Sequence, residues 1–227
     1  MFPLYNDLHT VKIMITKSVK VLKKLKKKYE IVIVDDGCPQ KSGVLAKKIA
    51  KKFSNIKVYF HKKNRGYGAA IKTGFKHCKN EWIYLTDGDA EYDVNDIFKL
   101  IKASKYNDLI ITRRYKKKYT TFRIVISWVY NVLLRFLFGT KFKDISTGSR
   151  LVKKKIIKNI KLKSNSPFLG AELAIKSELA GYKVGEISIH TYPRTFGSGS
   201  SVSIQNIFLT IKDMLSLFLI LFIKRFI

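Results

Sequence analysis

Apolar residues at Leu8, Val11, Ile15, Val19, Leu22 and Leu25 recur at helical spacing, with Lys17, Lys20, Lys23, Lys24 and Lys27 on the remaining faces. The pattern predicts an amphipathic helix solvated by lysine. The period then changes. Glu30 is followed by Ile-Val-Ile-Val, a continuous run of β-branched residues ending at Asp35-Asp36-Gly37. Such a run reads as a strand covered on both faces, as in a parallel sheet. The alternation continues with helix over 44–53, strand over 56–60, helix over 67–78 and strand over 82–85. Helix over 94–104 and strand over 109–112 follow, and a last strand is predicted over 183–191 among further helices. Strand and helix in regular succession argue a doubly wound α/β sheet.

Two segments are too apolar for an ordinary surface helix. Residues 124–138 (IVISWVYNVLLRFLF) are interrupted by Asn131 and Arg135, and residues 214–223 (MLSLFLILFI) are flanked by charges. A spanning helix needs about 20 apolar residues, so neither is expected to cross a membrane. Helices lying in the membrane interface fit both, with Trp128 and Tyr130 as anchors; buried core helices are the other reading of the first. The second is apolar nearly all round, which a terminal helix cannot bury alone, and membrane contact is expected there. The first residues carry no secretory signal pattern. No repeat or linker splits the chain, so one domain over 1–203 is expected, with a membrane-associating tail over 204–227.

Composition changes this picture in two ways. The 227 residues carry a formal net charge of +29, which implies an anionic partner: nucleic acid, a phosphorylated metabolite or an acidic membrane surface. Only eight of the 45 cations are Arg, however, so most of the charge reads as a lysine coat. A hydrophobic content of 46% excludes a disordered polybasic tail. The two cysteines, Cys38 and Cys78, make neither a disulfide framework nor a zinc site.

Three polar clusters fall at the carboxyl ends of strands, where open α/β sheets bind ligands. Asp35 and Asp36 are adjacent carboxylates beyond a buried strand, suited to a ribose or base edge, or else to capping the next helix. The run Asn64-Arg65-Gly66-Tyr67-Gly68 opens a helix with small residues that let backbone approach an anion. The sharpest cluster is Asp87-Gly88-Asp89-Ala90-Glu91. Asp87 and Asp89 share one side of an extended chain, and Gly88 allows a bend between them. Carboxylates this close repel unless a cation neutralises them; Mg²⁺ or Mn²⁺, bridging to a substrate diphosphate, suits an all-oxygen site.

The succession of FPLYND (2–7), EIVIVDDG (30–37), NRGYGAAIKTGF (64–75) and DGDAE (87–91) resembles the nucleotide-sugar half of glycosyltransferase family 2. TRRYK (112–116), Arg123, DISTGSR (144–150), Glu172, GYKVGEISI (181–189) and YPRTFGSGSS (192–201) extend the resemblance to its polyprenyl-phosphate branch, typified by dolichol-phosphate mannosyltransferase. The resemblance implies a single GT-A domain, Rossmann-like and doubly wound, that moves sugar with inversion from a nucleoside-diphosphate sugar to a polyprenyl phosphate. GDP-mannose or a UDP-sugar would be the donor, and dolichyl or undecaprenyl phosphate the acceptor. Pro3, Tyr5, Asp7 and Asp35 fall at its donor base and ribose positions, with Asp36, Asn64, Gly66 and Asp87 completing the donor set. Asp87, Asp89 and Glu91 fall at its metal and phosphate positions, Glu91 standing where relatives commonly carry Gln. Arg114, Arg123 and Arg194 fall where basic residues meet the acceptor phosphate, a role for which guanidinium forks are better shaped than ammonium groups. Asp89 and the three arginines are the expected catalytic set. Asp144 stands where relatives using hydroxyl acceptors hold an acid, and is expected to be structural or part of the acceptor site.

The implied partners are the nucleotide sugar, the lipid phosphate and a membrane surface, with the protein peripheral or monotopic on the cytoplasmic face. Two alternatives remain: a family 2 transferase with a saccharide hydroxyl as acceptor, and a basic nucleic-acid-binding protein. For the latter no zinc finger, RNP or comparable signature is present, so no nucleic acid is expected. Relatives carry an apolar first strand ahead of the PxYN-like element. Only Met1 and Phe2 precede Pro3 here, so that strand is expected to be missing or truncated.

Overall fold

Every residue of Ile31–Asp35 is buried, and this strand, β2, organises the sheet. Its side chains alternate between two cores. Val32 and Val34 face the larger one with Ala70, Ile71, Leu85, Ile111 and Phe168, while Ile31 and Ile33 face a second with Phe2, Val11, Ile15 and Ile56. A strand packed on both faces has no room for polar alternation, which is why its sequence is continuously apolar. The computed structural model describes residues 1–115, 121–193 and 203–226.

Strand β1 (Phe2–Leu4) and strand β3 (Ile56–Phe60) pair with β2 in parallel, one on each side. Phe2–Leu4 thus takes the place of the strand expected to be missing or truncated, and does so with three buried residues. Helices α1 (Val11–Lys24), α2 (Ser42–Ala50) and α3 (Tyr67–His77) connect and cover these strands. Four more strands form the second half: β4 (Trp82–Leu85), β5 (Leu109–Tyr115), β6 (Arg150–Lys153) and β7 (Val184–His190), in the order β4-β6-β5-β7. Met1 joins the halves, since its amino group donates to the Tyr84 carbonyl at 2.5 Å and its carbonyl accepts the Thr86 N–H at 3.2 Å.

The sheet departs from the doubly wound parallel expectation at β6, which runs antiparallel to both β4 and β5. Arg-Leu-Val-Lys is too short and too charged at its ends to read as a buried strand, yet its register between β4 and β5 buries Leu151 and Val152. Of the remaining helices, α4 (Ile97–Ala103) packs Leu100 against Ile110 and Leu151 on one face of these strands, while α6 (Lys154–Asn159) and α7 (Leu169–Leu179) join Ile111 and Val152 in the larger core on the other.

The two apolar segments form α5 (Thr121–Phe138) and α8 (Ile204–Phe226). Residues 214–223 are the second half of a 23-residue helix, and Ile204–Ile223 is long and apolar enough to cross a membrane by length and composition, with a mean hydropathy of 1.9. The earlier turns, with Ile207, Phe208, Leu209 and Ile211, extend the apolar run back through the tail expected over 204–227. Nor does α8 stand apart from the domain: Met214 and Leu217 are buried in the larger core, and Phe218 packs edge-on against Phe138 of α5. The outward faces stay apolar, with Val125, Trp128 and Phe136 exposed on α5 and Phe208, Leu215, Leu219 and Phe222 on α8.

Candidate active site

A cleft of about 1140 Å³ runs along the carboxyl ends of the strands. Its polar part is lined by Pro3, Tyr5, Asp7, Asp36, Asn64, Gly66, Asp87, Asp89, Glu91, Arg114 and Arg123, and its apolar part by Val129, Leu133, Leu209 and Met214 of α5 and α8. The expected polar residues therefore converge, with two exceptions. Arg194 lies outside the described residues. Asp35 is in place but does not line the cleft, because its two oxygens accept the Cys38 N–H at 2.8 Å and the Gly43 N–H at 2.6 Å. Asp35 ties the end of β2 to the start of α2, and a Cβ at residue 43 would fall 2.3 Å from its Oδ2. Its capping alternative accounts for it, and the donor-contact role is corrected.

Asp36 does the neighbouring job on the cleft wall. Its Oδ1 meets His61 Nδ1 at 2.6 Å and accepts the Arg65 N–H at 3.0 Å, and its Oδ2 accepts the Gly66 N–H at 2.9 Å. Gly66 also donates to Asn64 Oδ1 at 3.0 Å, and its φ of +93° is one that L side chains rarely adopt. His61 went unnoticed in sequence because its only signal is position, one residue past β3. Asp7 similarly accepts the Tyr5 N–H at 3.0 Å, while Cys38 packs its sulfur against the Asn6 N–H at 3.2 Å. The cysteine is a buried filler of this turn.

The carboxylate cluster follows β4. Asp87 accepts the Tyr67 hydroxyl at 2.7 Å, and Asp89 accepts the Glu91 N–H at 3.0 Å. The bend expected at Gly88 is made at Ala90, whose φ is +62°. A left-handed alanine costs about 1 kcal/mol, strain of a kind that gathers at functional sites. Gly88 instead permits close packing, since a Cβ there would lie 2.7 Å from the Pro3 carbonyl. Burial first, then the charge of Asp89, pushes the Asp87 carboxyl up to about 7.

A raised carboxyl favours folding in its protonated form. Stability contributed by Asp87 is therefore full below about 4 and lost as pH rises through about 7. Chelator-treated protein is expected to melt at a higher temperature at pH 5 than at pH 8, and added Mg²⁺ or Mn²⁺ to narrow the gap by raising the pH 8 value. Thermal melts at the two pH values measure it; an unchanged gap with cation would count against a metal at Asp87.

Among the described residues, no three His, Cys, Asp or Glu side chains converge closely enough to hold a metal ion. Asp87, Asp89 and Glu91 all line the cleft. Glu91 is buried and lies 3.9 Å from the Arg123 guanidinium, so part of its charge is answered within the protein. Asp87 and Asp89 remain compatible with a hard cation that takes its other ligands from water and diphosphate.

Arg114 is tightly held. Its Nε and Nη2 donate to the two oxygens of Asp144 at 2.8 and 2.9 Å, and Nη2 also reaches Ser146 Oγ at 2.6 Å and Ser127 Oγ at 3.3 Å. Asp144 is thus engaged in a bidentate pair. Arg150, at the start of β6, is fully buried among carbonyls: it donates to Gly170 at 2.6 Å and to Thr147, while its Nε has no partner. An arginine opening a short apolar strand was its sequence signal. Glu172 plays no part in the cleft; it accepts the Lys163 and Ser164 N–H groups at 2.9 Å each and pairs with Lys176.

The mixed sheet, with a carboxylate pair just past β4 lining the cleft, defines a GT-A domain. The model for glycosyl transferase family 2 matches residues 1–161, and the chain belongs to that family. Among curated proteins it is 27% identical over 198 residues to the undecaprenyl-phosphate 4-deoxy-4-formamido-L-arabinose transferase of Salmonella choleraesuis, covering 86% of this chain and 59% of that one. The transferase of the same name from Photorhabdus laumondii is 24% identical over 217 residues, covering 94% and 65%. The chain thus spans about three fifths of the length of these relatives. Among solved structures, glucosyl-3-phosphoglycerate synthase from Mycobacterium tuberculosis, in complex with Mn²⁺, UDP and phosphoglyceric acid, superposes with a TM-score of 0.71 at 14% identity, covering 95% of this chain and 76% of that one. That likeness concerns the fold.

Proposed function

We propose that the protein transfers a sugar from a nucleoside-diphosphate donor to a polyprenyl phosphate at a membrane surface. One observation carries the reading: a single cleft is lined both by Asp87, Asp89 and Arg114 and by apolar side chains of α5 and α8, among them Val129, Leu133, Leu209 and Met214. A soluble acceptor needs no such apolar lining; a lipid phosphate needs its head among cations and its tail among apolar side chains. The names of the two curated relatives, both undecaprenyl-phosphate transferases, support the same acceptor class.

The donor would lie with its nucleoside toward Pro3, Tyr5 and Asp7 and its diphosphate toward Asp87 and Asp89. Asp36 holds the Arg65 and Gly66 amides in the turn that borders it. Tyr67 and Gly148 confine Asp87: the tyrosine donates to it, and a Cβ at residue 148 would overlap its carboxylate. A divalent cation held by Asp87 and Asp89 would offset charge on the departing diphosphate. Arg114 and Arg123 would orient the acceptor phosphate, whose oxygen attacks the anomeric carbon from the face opposite the leaving group, giving inversion.

A phosphate monoester is already anionic near neutral pH, so the step requires no general base. A saccharide hydroxyl would require one, and the acids beside the two arginines are both paired, Asp144 with Arg114 at 2.8 Å and Glu91 with Arg123 at 3.9 Å. This favours the phosphate acceptor over the hydroxyl acceptor. Purified protein with Mg²⁺ or Mn²⁺, a panel of UDP- and GDP-sugars and a short polyprenyl phosphate is expected to yield butanol-extractable sugar with one donor. Transfer to oligosaccharide acceptors but never to the lipid would defeat the reading.

A further inference from the structure

Four successive backbone N–H groups, those of Lys163, Ser164, Asn165 and Ser166, donate to carboxylates on two different helices. Glu172 of α7 takes the first two, and Asp213 of α8 takes the second two at 3.2 Å each. This segment belongs to no ladder, so its amides depend on these outside acceptors. Its second half presses on the start of α3. The Asn165 carbonyl accepts the Gly68 N–H at 2.8 Å, and a Cβ at residue 66 or 68 would lie 2.7 or 2.8 Å from Asn165 backbone atoms. Gly66 is in turn the residue whose amide Asp36 holds. A continuous set of hydrogen bonds and close contacts therefore runs from α8 to the turn bordering the polar part of the cleft.

Asp213 is the only acidic residue in α8, and it sits beside Met214, which is buried in the core. On the same helix Phe208, Leu215, Leu219 and Phe222 point outward and are exposed. Bringing that face into lipid removes water from around the helix. A hydrogen bond to an ionised acceptor strengthens as the local dielectric falls.

We propose that Asp213 is a positioning residue that couples the apolar helix α8 to the donor part of the cleft, so that seating α8 in a lipid surface firms the Gly66–Gly68 turn against the donor. The role rests on reading the polar part of the cleft as the donor site. Asp213 touches no reacting atom; it acts by placing Asn165. Glu172 holds the first half of the segment independently, so loss of Asp213 releases only the half that meets α3.

The test is residue-resolved hydrogen exchange on the full chain, with and without phosphatidylglycerol–phosphatidylethanolamine vesicles, together with UDP and GDP titrations in Mg²⁺. Asp213→Ala is expected to speed exchange at the Gly68 amide about tenfold while the amides of β2 keep their wild-type rates. Asp213→Asn retains an acceptor oxygen and should recover much of the protection. Vesicles should slow Gly68 exchange in the wild type but not in Asp213→Ala, and nucleotide affinity should fall about tenfold in that variant. Wild-type exchange at Gly68 in Asp213→Ala would overturn the coupling, as would faster exchange throughout β2, which marks general loosening. If the exchange pattern holds but neither nucleotide binds the wild type, the donor reading is what fails, and the positioning role goes with it.

Discussion

Replacing Asp89 by Ala is expected to lower sugar transfer by about 10³-fold while leaving the fold intact. Asp89 is 6% exposed, lines the cleft, and spends one oxygen on the Glu91 N–H two residues on. It also supplies the charge that, after burial, does most to raise the Asp87 carboxyl. Removing it therefore does two opposite things. The repulsion inside the empty cluster is relieved, so thermal stability at pH 8 should hold or rise. The charge that would help a cation meet the diphosphate is lost, so kcat/KM should collapse. Asp89→Asn, which keeps the shape without the charge, should be nearly as inactive. Steady-state kinetics and a thermal melt on the same preparations check both halves; a stable Asp89→Ala protein with wild-type turnover would remove Asp89 from the mechanism.

Arg114→Ala should lower turnover of the lipid acceptor by about 10²- to 10³-fold and cost about 3 kcal/mol of stability. The stability loss arises because Asp144, 2% exposed, would be left as a buried charge without its bidentate partner. Arg114→Lys keeps a positive charge but cannot span both Asp144 oxygens while reaching the Ser127 and Ser146 hydroxyls. It should recover little of either. The double variant Arg114→Ala/Asp144→Asn separates the two effects, since removing the orphaned charge should restore most of the stability and none of the turnover. Denaturant unfolding and acceptor kinetics report them independently.

Much of this arrangement was legible before any coordinates. Strands β3 and β4 begin and end where the apolar pattern does, because each is a short run bounded by turns. The carboxylates of 87–91 announced themselves through charge density that is costly beside a buried strand. Other features were hidden because they depend on partners far along the chain. The direction of β6 is set by its place between β4 and β5, which four residues cannot encode. Asp35 and Asp36 are indistinguishable as text, yet one faces the start of α2 and the other the cleft wall. Gly88 looked like a hinge and is a packing glycine, while the positive φ falls on Ala90, where composition gives no hint of it. The continuous apolar run of 214–223 is shorter than α8 because Gln205, Asn206 and Lys212 dilute the first turns of the helix. The net charge of +29 also reads differently beside the structure. Arg114, Arg123 and the buried Arg150 all line the cleft, so a few arginines say more about function than the lysine coat.

The central claim is that one cleft reads a phosphate and an isoprenoid tail together. The direct measurement is transfer from the active donor to three acceptors: a short polyprenyl phosphate, the same polyprenol without its phosphate, and a short-chain alkyl phosphate without the isoprenoid. Product is expected from the first alone at appreciable rate, with kcat/KM at least about 10²-fold above either of the others, since each lacks one of the two features of the proposed acceptor. Equal transfer to the polyprenol, or to the alkyl phosphate, would contradict it.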